Sequence, residues 1–353
     1  MSLLEVSDLR VHFHTEDGLV KAVDGISFAV DSGRTLGIVG ESGCGKTVAN
    51  LTILGLTRAP NAEISGRIRF DARDLTALNE DDLRAVRGSE IAMIFQDPLS
   101  SLHPFYRVGG QIVEAILAHQ DVSEAAARRR AIGLLGEVGI PLPDRRVDDY
   151  PHEFSGGMRQ RAMIAMALAN EPKLLIADEP TTALDVTTQA QILTLIDRLQ
   201  VELGMAVILI THDLGVVAEN ADDVAVMYAG RIVERAPVET VFDAPQHPYT
   251  WGLLGSIPSI ASEDADELIP IEGQPPSLIT LPTGCSFHPR CPYVRPRHRE
   301  VDPPLERIGA EPGHEVACLL PVEVRRQLWG QLRSGHPPPE ARAAAGLEDD
   351  RGE

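Results

Sequence analysis

The residues that most constrain this chain run from Leu36 to Thr47. Leu36-Gly37-Ile38-Val39 is a short continuous apolar run, the pattern of a strand buried on both faces. It passes directly into Gly40-Glu41-Ser42-Gly43-Cys44-Gly45-Lys46-Thr47, which fits the spacing G-x-x-x-x-G-K-[ST]. The glycines let the backbone curl so that successive N–H groups face one anion. Lys46 adds a positive charge that can reach further phosphates, and the Thr47 hydroxyl suits Mg²⁺. The residues that follow, VANLTILGL, have a helical composition, so the loop lies between strand and helix as phosphate binding demands. Cys44 reads as a small filler within the loop.

A second stretch, Phe154 to Val186 (FSGGMRQRAMIAMALANEPKLLIADEPTTALDV), brings further chemistry. Ser155-Gly156-Gly157 stands where a helix opens, with unpaired backbone N–H groups able to hold a phosphate. Leu174-Leu175-Ile176-Ala177 reads as another buried parallel strand, and it ends in the carboxylate pair Asp178-Glu179. Alone, such a pair is a solvated strand end; beside a phosphate loop it is suited to handle a metal and a water. Two other apolar strands end in polar side chains, Ile91–Phe95 in Gln96 and residues 206–211 in His212.

Around these strands the pattern changes. Residues 3–40 alternate apolar and polar residues between Gly18 and Ser32-Gly33, as antiparallel strands joined by turns do. Residues 107–170 are rich in Ala, Arg, Glu and Leu, with Ser123 as an N-cap, and read as a helical insertion. The strands DVAVMYAG and RIVERA follow, and past Pro258 the chain becomes proline-rich and loop-like. The expected organisation is a domain over 1–258, a small separate module over 259–329 and a disordered tail over 330–353. A net charge of −20 excludes a general basic surface for nucleic acid or anionic lipid. No run approaches the roughly 18 apolar residues of a membrane span, and the first residues carry no basic-then-apolar signal, so a cytosolic chain is expected, held at any membrane by another protein.

Taken together, these elements resemble an ABC transporter ATPase subunit, and the resemblance covers residues 3 to about 325. It implies an α/β P-loop NTPase fold with a mixed sheet core, an antiparallel β subdomain and a helical insertion. Gly40–Thr47 is similar to the Walker A loop, Gln96 to the Q-loop glutamine, and LLIADE to Walker B, which assigns Asp178 to Mg²⁺ through water and Glu179 as general base. Ser155–Met158 resembles the signature sequence, with Met158 where the general family has Gln. Asp185 falls in the D-loop, His212 at the switch histidine, and Phe13 at the aromatic that stacks on adenine. AVDGISF, IFQDPLSSLHP, FSGGMRQR and QHPYTWGLLGSIP narrow the resemblance to the oligopeptide/dipeptide and nickel importer branch. The implied assembly pairs two ATPase subunits across ATP and Mg²⁺, with two membrane permeases and an extracytoplasmic solute-binding protein. The chain is then peripheral at the cytoplasmic face of the membrane.

Three of the four cysteines fall within residues 285–318. The residues alone leave two readings open: small fillers around a local core, or ligands of a metal that supplies folding energy to a short module. The spacing lacks the C-x₂-C knuckle of common zinc sites. The importer branch carries a four-cysteine module here, which in some members holds an iron–sulfur cluster. By that resemblance Cys285, Cys291, His298 and Cys318 are the expected ligands of a 4Fe-4S cluster, with His298 at the third position and His288 and His314 nearby.

Two other functions compete. An ABC ATPase acting on nucleic acid or the ribosome tends to carry two cassettes, a long coiled coil or a basic face, and this chain has none of these features. Nickel or another small solute could replace peptide as cargo, since an ATPase subunit does not touch it. Replacing Lys46 by Ala removes a charge partner of the β- and γ-phosphates, so ATP affinity and turnover are both expected to fall; full ATP affinity in Lys46→Ala, measured by equilibrium binding, would move the phosphate site elsewhere.

Overall fold

Alternation in Ser2–Thr15 (β1) and Gly18–Asp31 (β2) places Leu4, Val6, Leu9 and Val11 on the same buried face as Val23, Ile26, Phe28 and Val30. The structure is a computed structural model that describes residues 2–97, 101–182, 184–256, 271–309 and 313–347. Ala62–Phe70 (β4) and Arg73–Asp74 (β5) complete an antiparallel sheet of order β2-β1-β4-β5. The second sheet contains Thr35–Val39 (β3), Ile91–Ile94 (β6), Leu174–Asp178 (β7), Ala206–Thr211 (β8), Asp223–Tyr228 (β9) and Arg231–Pro237 (β10). Glu306–Arg307 (β11) and Glu315–Val316 (β12) extend it to the order β11-β12-β10-β9-β3-β8-β7-β6.

From β9 to β6 neighbouring strands are parallel. Their near-continuous apolar sequences follow from burial on both faces. In β7, Leu174 and Ile176 face one core with the antiparallel sheet, while Leu175 and Ala177 face a second core under the helices. That second core is closed by helices Val108–Leu117, Glu124–Glu137 and Gly156–Ala167, through Ile112, Ile116, Leu134, Leu135, Met163 and Ile164. The cap expected at Ser123 is present, its hydroxyl accepting from the Ala126 N–H at 3.3 Å. Parallel pairing points the C-terminal ends of β3, β6, β7 and β8 the same way. The phosphate loop, Gln96, Asp178-Glu179 and His212 therefore share one rim of the sheet, where open α/β sheets bind ligands.

Two expectations are corrected. The C-terminal part is not a separate loop-rich module: β11 and β12 join the main sheet, and Cys285 and Phe287 pack in one core with Val39, Val217, Val226, Tyr228 and Tyr249. Nor is the chain from residue 330 a featureless tail. Helices Val322–Arg333 and Pro338–Ala344 are formed, and Leu328, Ala341 and Leu347 bury against Trp251 and Tyr293. Proline runs start the second helix rather than prevent it, since proline suits the first helical turn. The boundary expected at Pro258, and residues 348–353, lie outside the described residues.

The phosphate loop is fixed by close backbone approach. A side chain on Gly45, whose φ is 104°, would meet the Ala22 carbonyl oxygen at 2.1 Å, and one on Gly40 would meet the Met227 carbonyl oxygen at 2.2 Å. The Cys44 carbonyl accepts from the Gly230 N–H at 2.9 Å. Gly45→Ala must strain both the left-handed backbone and the β2 contact, so a loss of about 1–3 kcal/mol is expected in denaturant unfolding of the nucleotide-free chain; an unchanged midpoint would contradict this packing.

Candidate functional site

Lys46 opens the helix Lys46–Ile53 and is 5% exposed. Its ammonium donates to the Gly40 carbonyl at 2.6 Å and to the Glu41 carbonyl at 3.0 Å. The charge is thus held by the mouth of the loop, where the first N–H groups of the helix also lie without intrahelical partners. Burial pushes the Cys44 thiol up, so the sulfur is a neutral neighbour of the ammonium.

Asp178 closes β7 and is buried, and the Thr47 hydroxyl acts to lower its carboxyl. Burial, with the adjacent Glu179 charge, raises Asp178 above the ordinary aspartate value. The Thr47 hydroxyl and Asp178 carboxylate supply the hard oxygen donors that Mg²⁺ takes. Glu179 behaves differently. Burial acts to raise it, but hydrogen bonds from Thr182 and His212, together with the His212 and Lys46 charges, outweigh that and hold it below its usual value. Its carboxylate is met from three elements: Gln96 Nε2 at 2.8 Å, Thr182 Oγ1 at 2.9 Å and His212 Nδ1 at 3.3 Å. Glu179 has φ 46°, a strained value for a non-glycine residue, and its N–H is tied to the Ile210 carbonyl at 2.9 Å. The strand end is thus bent so that Asp178 turns inward and Glu179 faces the rim.

The sequence reading did not single out Thr182, although it sits in the quoted ADEPTT string. It also passed over Gln160, buried in the helix Gly156–Ala167, whose amide reaches the Pro180 carbonyl at 2.5 Å. This bond joins the glycine-rich helix to the residues after Glu179. Ser155 caps that helix, accepting from the Met158 N–H at 3.3 Å. Ser155 and Gly156 are exposed, and Gly157 lies against Thr188, so this helix start faces outward from the chain. Asp185 is likewise exposed and caps Val186–Leu203 through the Thr188 N–H at 3.0 Å; Ala183 beside it lies outside the described residues. Phe13 is half-buried on β1 and packs against the core of the antiparallel sheet.

The four expected cluster ligands do not form a metal site: among the described residues no group of three or more His, Cys, Asp and Glu side chains is arranged to hold a metal ion. Cys285 packs with Tyr228 and Phe287, Cys318 packs around Trp251 and Tyr293, and Cys291 touches both cores. His298 is buried, with Nδ1 accepting from the Arg295 N–H at 3.0 Å. The expectation that this segment has few core residues fails: its residues are buried in cores shared with the rest of the chain.

Comparison with known proteins agrees with this geometry. The family described as ABC transporter matches residues 23–182, and the oligopeptide/dipeptide transporter C-terminal region matches residues 233–297. The chain is 53% identical to the oligopeptide transport ATP-binding protein OppD of Bacillus subtilis, covering 87% of this chain and 86% of the relative. It is 49% identical to the dipeptide transport ATP-binding protein DppD of Escherichia coli, over 92% of this chain and 98% of that one. Among solved structures, a dimeric post-hydrolysis state of the ATP-binding cassette MJ0796 bound to ADP and Pi superposes with TM-score 0.60 and 25% identity, covering 67% of this chain and 98% of the cassette. CbiO1 from Clostridium perfringens, part of the transporter complex cbiONQ, gives TM-score 0.58 and 31% identity over 69% of this chain and 91% of its own.

The matched C-terminal region ends at residue 297, so it contains Cys285 and Cys291 but neither His298 nor Cys318. Burial pushes the Cys318 thiol up to about 11 and also raises Cys285 and Cys291. At pH 8 Cys318 should therefore carry on the order of 100-fold less thiolate than a free cysteine. Native-state alkylation should be correspondingly slow and accelerate on unfolding; rapid labelling of Cys318 in folded protein would contradict its packing.

Proposed function

The chain belongs to the ATP-binding subunits of ABC transporters and is an ATPase of that family, and from that premise we propose that its hydrolysis of ATP drives import of oligopeptides or dipeptides. The observation that carries the reading is one carboxylate, Glu179, held by Gln96, Thr182 and His212 on the same rim as the phosphate loop. The peptide cargo rests on the named relatives and on the matched C-terminal region.

In this reading Gly40, Glu41, Ser42, Gly43, Cys44 and Gly45 wrap the β-phosphate, and Lys46 leaves its two carbonyls to meet the β- and γ-phosphates. Thr47 and Asp178 would hold Mg²⁺, with Gln96 at the edge of the same site. When bound, the metal neutralises charge developing on the phosphoryl oxygens. Glu179, kept ionised at neutral pH by its hydrogen bonds, accepts a proton from the attacking water. Gln96 and His212 orient that carboxylate, and His212 reaches towards the γ-phosphate. Phe13 stacks on adenine.

The exposed start of the helix Gly156–Ala167 serves the nucleotide of a second ATPase subunit, with Asp185 at the same face. ATP then holds two subunits together and hydrolysis releases them. Two permeases and an extracytoplasmic solute-binding protein complete the machine. Among the described residues no helix is long and apolar enough to cross a membrane, which suits a subunit held peripherally at the cytoplasmic face. No step runs through the C-terminal thiols.

Glu179→Gln keeps the hydrogen-bonding shape but cannot accept the proton. In the assembled transporter it is expected to bind Mg-ATP and lose roughly 10²–10⁴-fold in turnover, accumulating as the ATP-bound dimer. Peptide-loaded binding protein should stimulate the parent complex in vesicles. Near-normal turnover of Glu179→Gln would sink the base assignment, and a parent complex that couples to no peptide would sink the cargo.

A further inference from the structure

Glu41, the second residue of the phosphate loop, is paired with a residue 249 positions away. Arg290 Nη1 donates to Glu41 Oε2 at 2.6 Å and Nη2 to Oε1 at 2.9 Å, two parallel bonds of the kind that fix a planar guanidinium against a carboxylate. This is not an ordinary surface pair. The Arg290 side chain is only 4% exposed, and two further donors go to the Glu272 carbonyl at 3.0 Å and the Ile271 carbonyl at 3.3 Å. The guanidinium also lies over the Tyr228 ring, 5.9 Å from its centre.

A second contact reaches the same loop residue from a different element. The Tyr249 hydroxyl, on the buried first turn of Pro248–Leu254, accepts from the Glu41 N–H at 2.9 Å. Tyr228, Tyr249 and Phe287 pack ring against ring behind both contacts. The C-terminal segment also grips the other wall of the loop. Leu278 accepts from the Lys21 N–H at 3.0 Å, next to Ala22, whose carbonyl abuts Gly45.

We propose that Arg290 and Tyr249 are positioning residues for nucleotide binding, so that the C-terminal segment forms the outer wall of the ATP site. Tyr249 and Arg290 hold the entrance of the loop, which sets the direction of the N–H groups that follow it. Arg290 has a further effect through charge. The Glu41 carboxylate stands beside a site for a polyanion, and only a paired carboxylate can be there without repelling the phosphates. Neither residue touches the nucleotide; both act through Glu41. The inference rests on the reading of Gly40–Thr47 as the phosphate site.

The test uses the full chain in the assembled transporter, with the KM for ATP, kcat and equilibrium Mg-ATP binding measured on the same samples. A loop-shaping pair acts on ground and transition states alike, so Arg290→Gln should raise KM while kcat changes little. A misplaced phosphate contact makes that rise roughly 10–100-fold. Arg290→Lys, which keeps charge but not the two-bond geometry, should fall between. Glu41→Gln should also raise KM, and Glu41→Gln with Arg290→Gln should be much less impaired than the product of the two, since one interaction cannot be lost twice. Denaturant unfolding separates loss of folded protein from loss of affinity in what remains. If Arg290→Gln does not fold, Glu41→Gln breaks the same pair from the loop side. A normal KM in either folded single variant, or strictly multiplicative losses, overturns the proposal. Lys46→Ala distinguishes the two levels: if it binds Mg-ATP normally, the phosphate-site reading fails, whereas lost binding there with a normal KM in Arg290→Gln defeats this inference alone.

Discussion

Everything at the nucleotide rim depends on keeping one ammonium ion, that of Lys46, almost out of water. A buried unpaired cation is costly, and here the Gly40 and Glu41 carbonyls compensate it at 2.6 and 3.0 Å. That demand fixes the loop: Gly40 and Gly45 must bring backbone against backbone, and the strand before and the helix after must hold both ends. In the proposed function a triphosphate would offer the ammonium anionic oxygens in place of two neutral carbonyls.

The carboxylate pair works by contrast rather than by proximity. Asp178 is raised by burial and by its neighbour's charge, and Glu179 is lowered by the donors that surround it. Adjacent residues come to differ because the left-handed backbone at Glu179 sends the two side chains into unlike surroundings. Backbone strain at that position stays affordable because the Ile210 carbonyl and three side-chain donors all hold the same conformation.

The rim was legible in the sequence because its chemistry is local. A strand, its terminal polar residue and the loop that follows are contiguous, so Gly40–Thr47, Gln96, Asp178-Glu179 and His212 could each be read in place, and parallel pairing brings them together. Contacts between distant segments left no such trace. Nothing in HPRCPY reveals that Arg290 meets Glu41, and nothing in the tail reveals that Leu347 and Ala341 bury beside Trp251. The sequence reading also misjudged the C-terminal segment by treating proline and loop content as a shortage of core. The core there is built from few residues, but large ones, and much of it is borrowed from the cassette.

Magnitudes show why that core suffices. A buried aromatic side chain removes about 150–250 Å² from water, roughly 4–6 kcal/mol of transfer free energy at about 25 cal/mol per Å². Trp251, Tyr293, Tyr249 and Phe287 are each under 5% exposed, so together they gain gross stabilisation of the same order as the roughly 10–16 kcal/mol a structural metal supplies to a small domain. The Trp251 indole N–H reaches the Pro245 carbonyl at 2.9 Å, and the Trp329 indole stacks on Trp251 while bonding the Asp243 carbonyl at 3.0 Å. The Trp329 bond thus fastens the helix Val322–Arg333 to residues just after β10, and the Trp251 bond holds Pro248–Leu254 to the same stretch. Burial among such rings disfavours the thiolate and so raises these thiols, which keeps the cysteines neutral and small. The same aromatic packing leaves Tyr249 and Phe287 directly behind the phosphate loop, so what stabilises the C-terminal segment also fixes the wall on which Glu41 rests.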